Sequence, residues 1–278
     1  MFDRRSFFFA SAALVASPRS LRAVSARVSL PAETKQGALI VGRTEPGASV
    51  TLDLKRLSVS QDGHFAFGFP YDRKLPSKIV ARFADGVVET RDVVPGIRMY
   101  EIQRINGLPE DYVSPPPDIL ERIKREAELN ASKRALDHDF PWFADAFDWP
   151  ARGIISSVYG SQRILNGEPQ TPHLGVDIAG PTGTPITAPA DAIVSITADQ
   201  YLNGGFTMLD HGHGISTLYL HQSRRLVKEG DKVSRGQAIG EIGQTGRATG
   251  PNLHWAMFWF QVGLDPSLAT ATLQPPKE

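Results

Sequence analysis

The chain has 278 residues, a length that bounds about two domains, each large enough to bury a core. Its 30 basic side chains balance 30 acidic ones, which removes the electrostatic argument for nucleic acid or an anionic membrane surface as a partner. The lack of cysteine excludes thiolate zinc sites and permits, without requiring, export to an oxidising compartment.

Residues 1–26 read as a signal peptide. Arg4 and Arg5 precede an apolar run, from Phe7 to Ala16, that is too short to span a membrane. Arg4-Arg5-x-Phe7-Phe8 is similar to the twin-arginine export signal, although Asp3 stands where Ser or Thr is usual. Periplasmic export is therefore expected, with cleavage after Ala23 or Ala26.

Residues 30–98 read as a small β-sandwich-like domain. Strands are expected over Ala38–Gly42 and Val50–Leu54, on either side of the turn pair Pro46-Gly47. Asp62-Gly63 marks another turn, and Asp85-Gly86 separates strands at Ile79–Phe83 and Val87–Arg91. No cluster of His, Asp and Glu stands out in this part of the chain.

Residues 99–140 read as a linker with one helix. Pro115-Pro116-Pro117 opens the helix and Asp118 is expected to cap it. Ile119, Leu120, Ile123 and Ala127 form a short apolar stripe. The aromatic stretch from Phe140 to Pro150 then leads into a last domain, residues 141–272, with 273–278 as a tail.

The chemistry concentrates in that last domain, in His173-x-x-x-Asp177, His221 and Asn252-x-His254. Two imidazoles and a carboxylate suit Zn²⁺, which keeps a further position open in catalytic sites. Asn252–Phe260 is aromatic-rich, without internal Gly or Pro, and reads as a strand. Period two puts Asn252 and His254 on one face and Leu253 and Trp255 on the other. Ile215–His221 reads likewise, with Thr217, Tyr219 and His221 sharing a face. On a straight strand His173 and Asp177 would lie roughly 13 Å apart, so the chain must curl, and Gly175 can supply the bend. His211 and His213 read as residues of a Gly-rich turn rather than a metal pair. Hairpins are expected at Gly204-Gly205, His211–Gly214 and Glu229–Asp231. His64 reads as a hairpin residue, and His138 lies in a charged loop.

Taken in order, from about Trp149 to Pro266, these motifs resemble the lysostaphin/LytM-type zinc endopeptidases that cut peptide bonds in peptidoglycan. The pattern is His173-x-x-x-Asp177, then Tyr219-Leu220-His221, then Gly250-Pro251-Asn252-Leu253-His254, with the spacer Val227–Gly240 between. The resemblance implies that His173, Asp177 and His254 are metal ligands. It implies that His221 is a catalytic histidine that helps activate water or stabilise the tetrahedral intermediate. One departure matters: Asn252 stands where the family has the first His of H-x-H. Val227–Gly243 is also similar to lipoyl and biotinyl carrier hairpins, but no Lys follows Val233 there to carry a cofactor, which disfavours that role.

The expected protein is mostly β: a compact antiparallel β-sheet zinc peptidase domain preceded by the small β-sandwich-like domain and a linker helix. Its expected function is Zn²⁺-dependent cleavage of peptidoglycan cross-links or stem peptides, attenuated at the catalytic position Asn252. The alternative is a weak or inactive cell-wall-binding regulator on the same fold. A protein activator or regulator is a further expected partner; nucleic acid is not.

Overall fold

The computed structural model describes residues 27–272 and 274–276. The expected signal peptide, with Arg4 and Arg5, lies outside these residues. Among them no helix is long and apolar enough to cross a membrane.

The N-terminal part folds as β1 (Leu39–Arg43), β2 (Ser49–Leu52), β3 (Lys55–Leu57), β4 (His64–Gly68), β5 (Ser77–Arg82) and β6 (Val88–Val93). Strands β1 and β4 pair antiparallel, and a second antiparallel sheet runs β3-β2-β5-β6. The strand expected to run to Leu54 stops at Leu52. Asp53 and Leu54 take left-handed φ values of 46° and 74°, forming the two-residue turn between β2 and β3, and that handedness matches the twist of the flanking strands.

The linker carries more structure than its composition suggests. It contains β7 (Ile102–Ile105), a one-turn helix α1 (Glu110–Val113) and α2 (Pro117–Arg134). Helix α2 starts with Pro117 at its first position and without a side-chain cap, so Asp118 sits inside the first turn rather than capping it. There its carboxylate still faces the positive end of the helix dipole.

The remaining strands are β8 (Ile154–Ser157), β9 (Gln162–Leu165), β10 (Glu168–Pro169), β11 (Val176–Ala179), β12 (Pro185–Thr187), β13 (Ala192–Gln200), β14 (Gly204–Gly212), β15 (Ile215–Gln222), β16 (Arg224–Arg225), β17 (Lys232–Val233), β18 (Ala238–Glu241), β19 (Asn252–Trp259) and β20 (Val262–Leu264). The large sheet runs β17-β13-β14-β15-β19-β11-β8, with β20 also paired to β19. A small sheet runs β12-β18-β16, and β7 joins β9 in parallel beside β10. Gly204 and Gly205 begin β14 rather than forming its turn; residues 201–203 make the connection.

Alternation along β19 explains which face is core. Leu253, Trp255 and Tyr219 pack with Ile178, Ile186, Val194 and Ile239 between the large and small sheets. Leu218, Leu220 and Ala256 pack with Phe206 and Met208 on the opposite face. A third core joins the two halves of the chain, since Val50, Phe65, Phe67 and Ile79 share it with Phe143, Phe147, Ile215, Trp259 and Leu264. Each large apolar side chain fully buried there contributes about 1.5–3 kcal/mol. The aromatic stretch after Phe140 thus fastens the N-terminal sheets to the large sheet.

Helix α2 docks through polar groups together with half of its apolar stripe, since Ile119 and Ile123 are half-buried on the face that carries Glu126 and Asn130. Leu120 and Ala127 are exposed, whereas Asn130 is buried and exchanges amide hydrogen bonds with Gln200 at 3.1 and 2.9 Å. Glu126 accepts from the Tyr201 backbone at 2.9 Å, and Arg122 donates to the Asp199 carbonyl at 3.2 Å.

His211 lies within β14 rather than in the expected Gly-rich turn, which holds His213. His211 is buried, with Nδ1 2.8 Å from the Asp191 carbonyl and Nε2 2.7 Å from Thr217 Oγ1. His213 packs on Phe143 and reaches Asp139 at 3.2 Å. Burial lowers the His211 pKa to about 4, against about 6.5 in an unfolded chain. Above pH 6.5 both states are neutral there. As pH falls toward 4 the unfolded state takes up a proton that the folded state refuses, so stability is lost. Urea unfolding at pH 7 and pH 5 should show a loss of stability in the natural protein that exceeds the loss in His211→Asn by roughly 2 kcal/mol.

Candidate metal centre and active site

The site forms where β11 and β19 lie side by side on the face of the large sheet away from the Trp255 core. Register pairs Asp177 with His254 and Ala179 with Asn252. Asp177 and His254 therefore point the same way, while Ile178 and Leu253 fill the core behind them. His173 precedes β11, and its chain curls back so that its ring meets both. His173 Nε2, Asp177 Oδ1 and His254 Nδ1 lie 2.8 to 3.1 Å from one another. Among the described residues this trio is the group of His, Asp and Glu that could hold a metal ion.

Gly175 serves this arrangement, though not by bending the chain through a left-handed φ. A Cβ at this position would come within 2.7 Å of the His254 ring and of the Trp255 carbonyl oxygen. The glycine is there because the imidazole occupies its side-chain space. Gly175→Ala should lower stability by about 1–3 kcal/mol, as over-packing does, and should loosen the trio; a thermal melt with elemental analysis reads both effects.

The trio is oriented by neighbours. His173 Nδ1 faces Ser157 Oγ at 2.9 Å and the Val158 carbonyl at 3.1 Å, and Ser157 donates to Gln103 of β7 at 2.9 Å. A neutral His173 thus carries its proton on Nδ1 and turns an Nε2 lone pair inward. Burial lowers the His254 pKa to about 4. Burial alone would raise the Asp177 carboxyl, but its contacts with His173 and His254 outweigh this and hold it well below the usual range. Arg163 supports it too, with Nη2 2.6 Å from Asp177 Oδ2. One carboxylate oxygen and two imidazole nitrogens thus converge. Their separations approach the roughly 3.3 Å edge of a tetrahedral set about 2.0–2.1 Å from zinc, so these residues fit such an ion.

His221 reaches the same cleft by an unexpected route. Alternation along β15 would place it with Thr217 and Tyr219, whose hydroxyls are buried against each other at 2.8 Å. Instead His221 has φ 65°, and the β14–β15 register shifts between Thr207 and Gly205. Such a bulge re-aims a side chain to the other face. The His221 and His254 ring centroids end 6.3 Å apart, and both rings line a cleft of about 210 Å³ with Arg163 and Arg247. The Nδ1–H of His221 donates to the Thr245 carbonyl at 2.8 Å, and burial holds its pKa below the ordinary value. Its Nε2 is then free to accept a proton.

Asn252 lies two residues before His254 on the same strand face, as expected, and its Oδ1 is buried without a hydrogen-bond partner among the described residues. Ser157, Arg163, Thr245 and Arg247 also shape the site, but none carries a spacing signature in the sequence. Beside the cleft, α2 contributes Ala127, Asn130 and Arg134 to a second cleft that shares Leu220 and His254.

This arrangement belongs to a known class. Residues 171–266 match the model of peptidase family M23, so the chain carries an M23 peptidase domain of the LytM/lysostaphin type. It is 48% identical over 107 residues to the peptidoglycan DD-endopeptidase ShyA of Vibrio cholerae, a match covering 37% of this chain and 24% of that protein. It is 42% identical over 83 residues to the DD-carboxypeptidase/endopeptidase Mpg of Neisseria meningitidis, covering 30% of this chain and 19% of that one. The chain therefore spans a quarter or less of the length of these curated relatives. A crystal structure described as a peptidase M23 from Pseudomonas aeruginosa superposes with a TM-score of 0.66 at 28% identity, covering 85% of this chain and 94% of that one. That likeness extends well beyond the matched domain.

Proposed function

We propose that the chain is an exported, zinc-dependent endopeptidase that hydrolyses peptide cross-links or stem peptides of peptidoglycan, with turnover attenuated at Asn252. The observation that carries this reading is the convergence of His173 Nε2, Asp177 Oδ1 and His254 Nδ1 in one cleft with His221. The relatives named as peptidoglycan DD-endopeptidases support the substrate class.

In this reading His173, Asp177 and His254 hold the metal. Zinc held there supplies Lewis acidity toward a carbonyl and makes water a nucleophile near neutral pH. His221, neutral and anchored by Thr245, takes a proton at Nε2 from the attacking water and returns it to the leaving amine. Arg163 holds Asp177 in its ligating orientation through Oδ2. Asn252 donates an amide N–H toward a developing oxyanion but exchanges no proton.

A second reading, a cell-wall-binding regulator with little or no turnover, is favoured by one residue, Asn252 in place of a histidine. Dye-labelled sacculi separate the two. The peptidase reading expects soluble label to be released, release to stop with a chelator, and zinc to restore it. No release from a folded, zinc-loaded protein would favour the regulator.

A further inference from the structure

Two arginines stand in the cleft beside the His173, Asp177 and His254 cluster. Arg163, on β9, spends Nη2 on Asp177 at 2.6 Å, and its Nε is buried without a partner among the described residues. Arg247 lies between β18 and β19 and has no carboxylate partner among the described residues. Its Nη1 donates to the Tyr112 carbonyl at 3.2 Å, a contact that anchors the guanidinium without neutralising it.

The charges in the cleft do not balance. Its other walls include Gln170, Thr171, Leu202, Asn203 and Leu220, none of them acidic. Asp177 lies beside it, and its oxygens are engaged by the two imidazoles and Arg163. Burial, with repulsion from Arg163, pulls the Arg247 pKa below its ordinary value. A guanidinium serving only the fold would be expected to have a carboxylate or several carbonyls around it. Arg247 has one carbonyl, beside a second positive charge, in a cleft open to a ligand. An anion entering there relieves both the repulsion and the missing hydrogen bonds.

We propose that Arg247, with Arg163 behind it, is a specificity-determining residue that binds a free carboxylate of the peptide substrate and so selects acidic over amidated peptides. The planar guanidinium fork matches a carboxylate in two parallel hydrogen bonds. The inference rests on the peptidase reading for the identity of the ligand, but its test needs no turnover.

Calorimetric binding to the zinc-loaded protein would compare a peptidoglycan stem tetrapeptide with the same peptide amidated at every carboxylate. The acid form should bind at least about tenfold tighter. Arg247→Gln should remove that preference with zinc content unchanged, and Arg247→Lys should restore part of it. Equal binding of the two forms, or binding of neither, overturns the inference, and the wild-type comparison stands even if a variant folds poorly. A full preference retained in Arg247→Gln overturns it too, because the metal would then be the carboxylate's partner. Labelled-sacculus digestion run in parallel reports separately on the peptidase reading.

Discussion

His254→Ala should yield a folded chain that purifies without zinc, whereas His213→Ala should keep about one zinc per chain. Removing His254 takes away Nδ1, the atom 2.8 Å from Asp177 Oδ1 and 2.9 Å from His173 Nε2. Two protein ligands remain, one fewer than the three that catalytic zinc sites use. His173→Ala should strip the metal equally, and it also frees Ser157 and Val158 from their contacts with Nδ1. His213 contacts Phe143 and Asp139, away from the cleft. Its loss should cost about 1 kcal/mol, as typical single substitutions do, and leave the metal in place. Elemental analysis of the variants checks the assignment, and it fails if His213→Ala removes zinc as fully as His254→Ala.

Asn252→His should raise turnover on peptidoglycan by up to about 10²–10⁴-fold, the range that a positioned proton-transfer group supplies. Zinc content should stay constant, because Asn252 is paired with Ala179 and stands outside the trio. His221→Ala in the natural background should leave essentially no turnover, since no other imidazole outside the trio lines the cleft. Loss of His221 also releases the Thr245 carbonyl, so a melt should accompany the assay. Unchanged activity in Asn252→His, beside a natural protein that is already active, would remove the attenuation from this account.

Much of the site was legible in the sequence because spacing carries it. Period two along Asn252–Trp259 separates His254 from Leu253 and Trp255, and the order of the His173, Asp177, His221 and His254 motifs carries the family resemblance. Four features were not legible, each for a physical reason. His221 changes face because a non-glycine residue takes a left-handed φ at a bulge, and nothing in its neighbours announces that. Gly175 looked like a bend, but its role is to leave room for a ring 79 residues later in the chain. Helix α2 docks through Asn130, Glu126 and Arg122 on the face of half-buried Ile119 and Ile123, whereas Leu120 and Ala127 of its apolar stripe face solvent, and the stripe did not announce those polar contacts. Arg163 and Arg247 are single cations without periodicity, and only the fold brings them to the cleft.

The N-terminal half divides in the same way. Turn pairs such as Pro46-Gly47 and Asp85-Gly86 located the strands to within a few residues. Composition could not show that Phe65 and Phe67 share a core with Phe147 and Trp259. That core is built from contacts between residues far apart in the chain.

The central claim, that this cleft cuts peptidoglycan with a metal held by His173, Asp177 and His254, is tested most directly by mass spectrometry. Purified sacculi would be digested with the zinc-loaded mature protein and, beside it, with His254→Ala. The account predicts peptide fragments with newly formed amino and carboxyl ends from the natural protein and none from the variant. Identical fragment profiles from the two, with the zinc contents confirmed to differ, would contradict it.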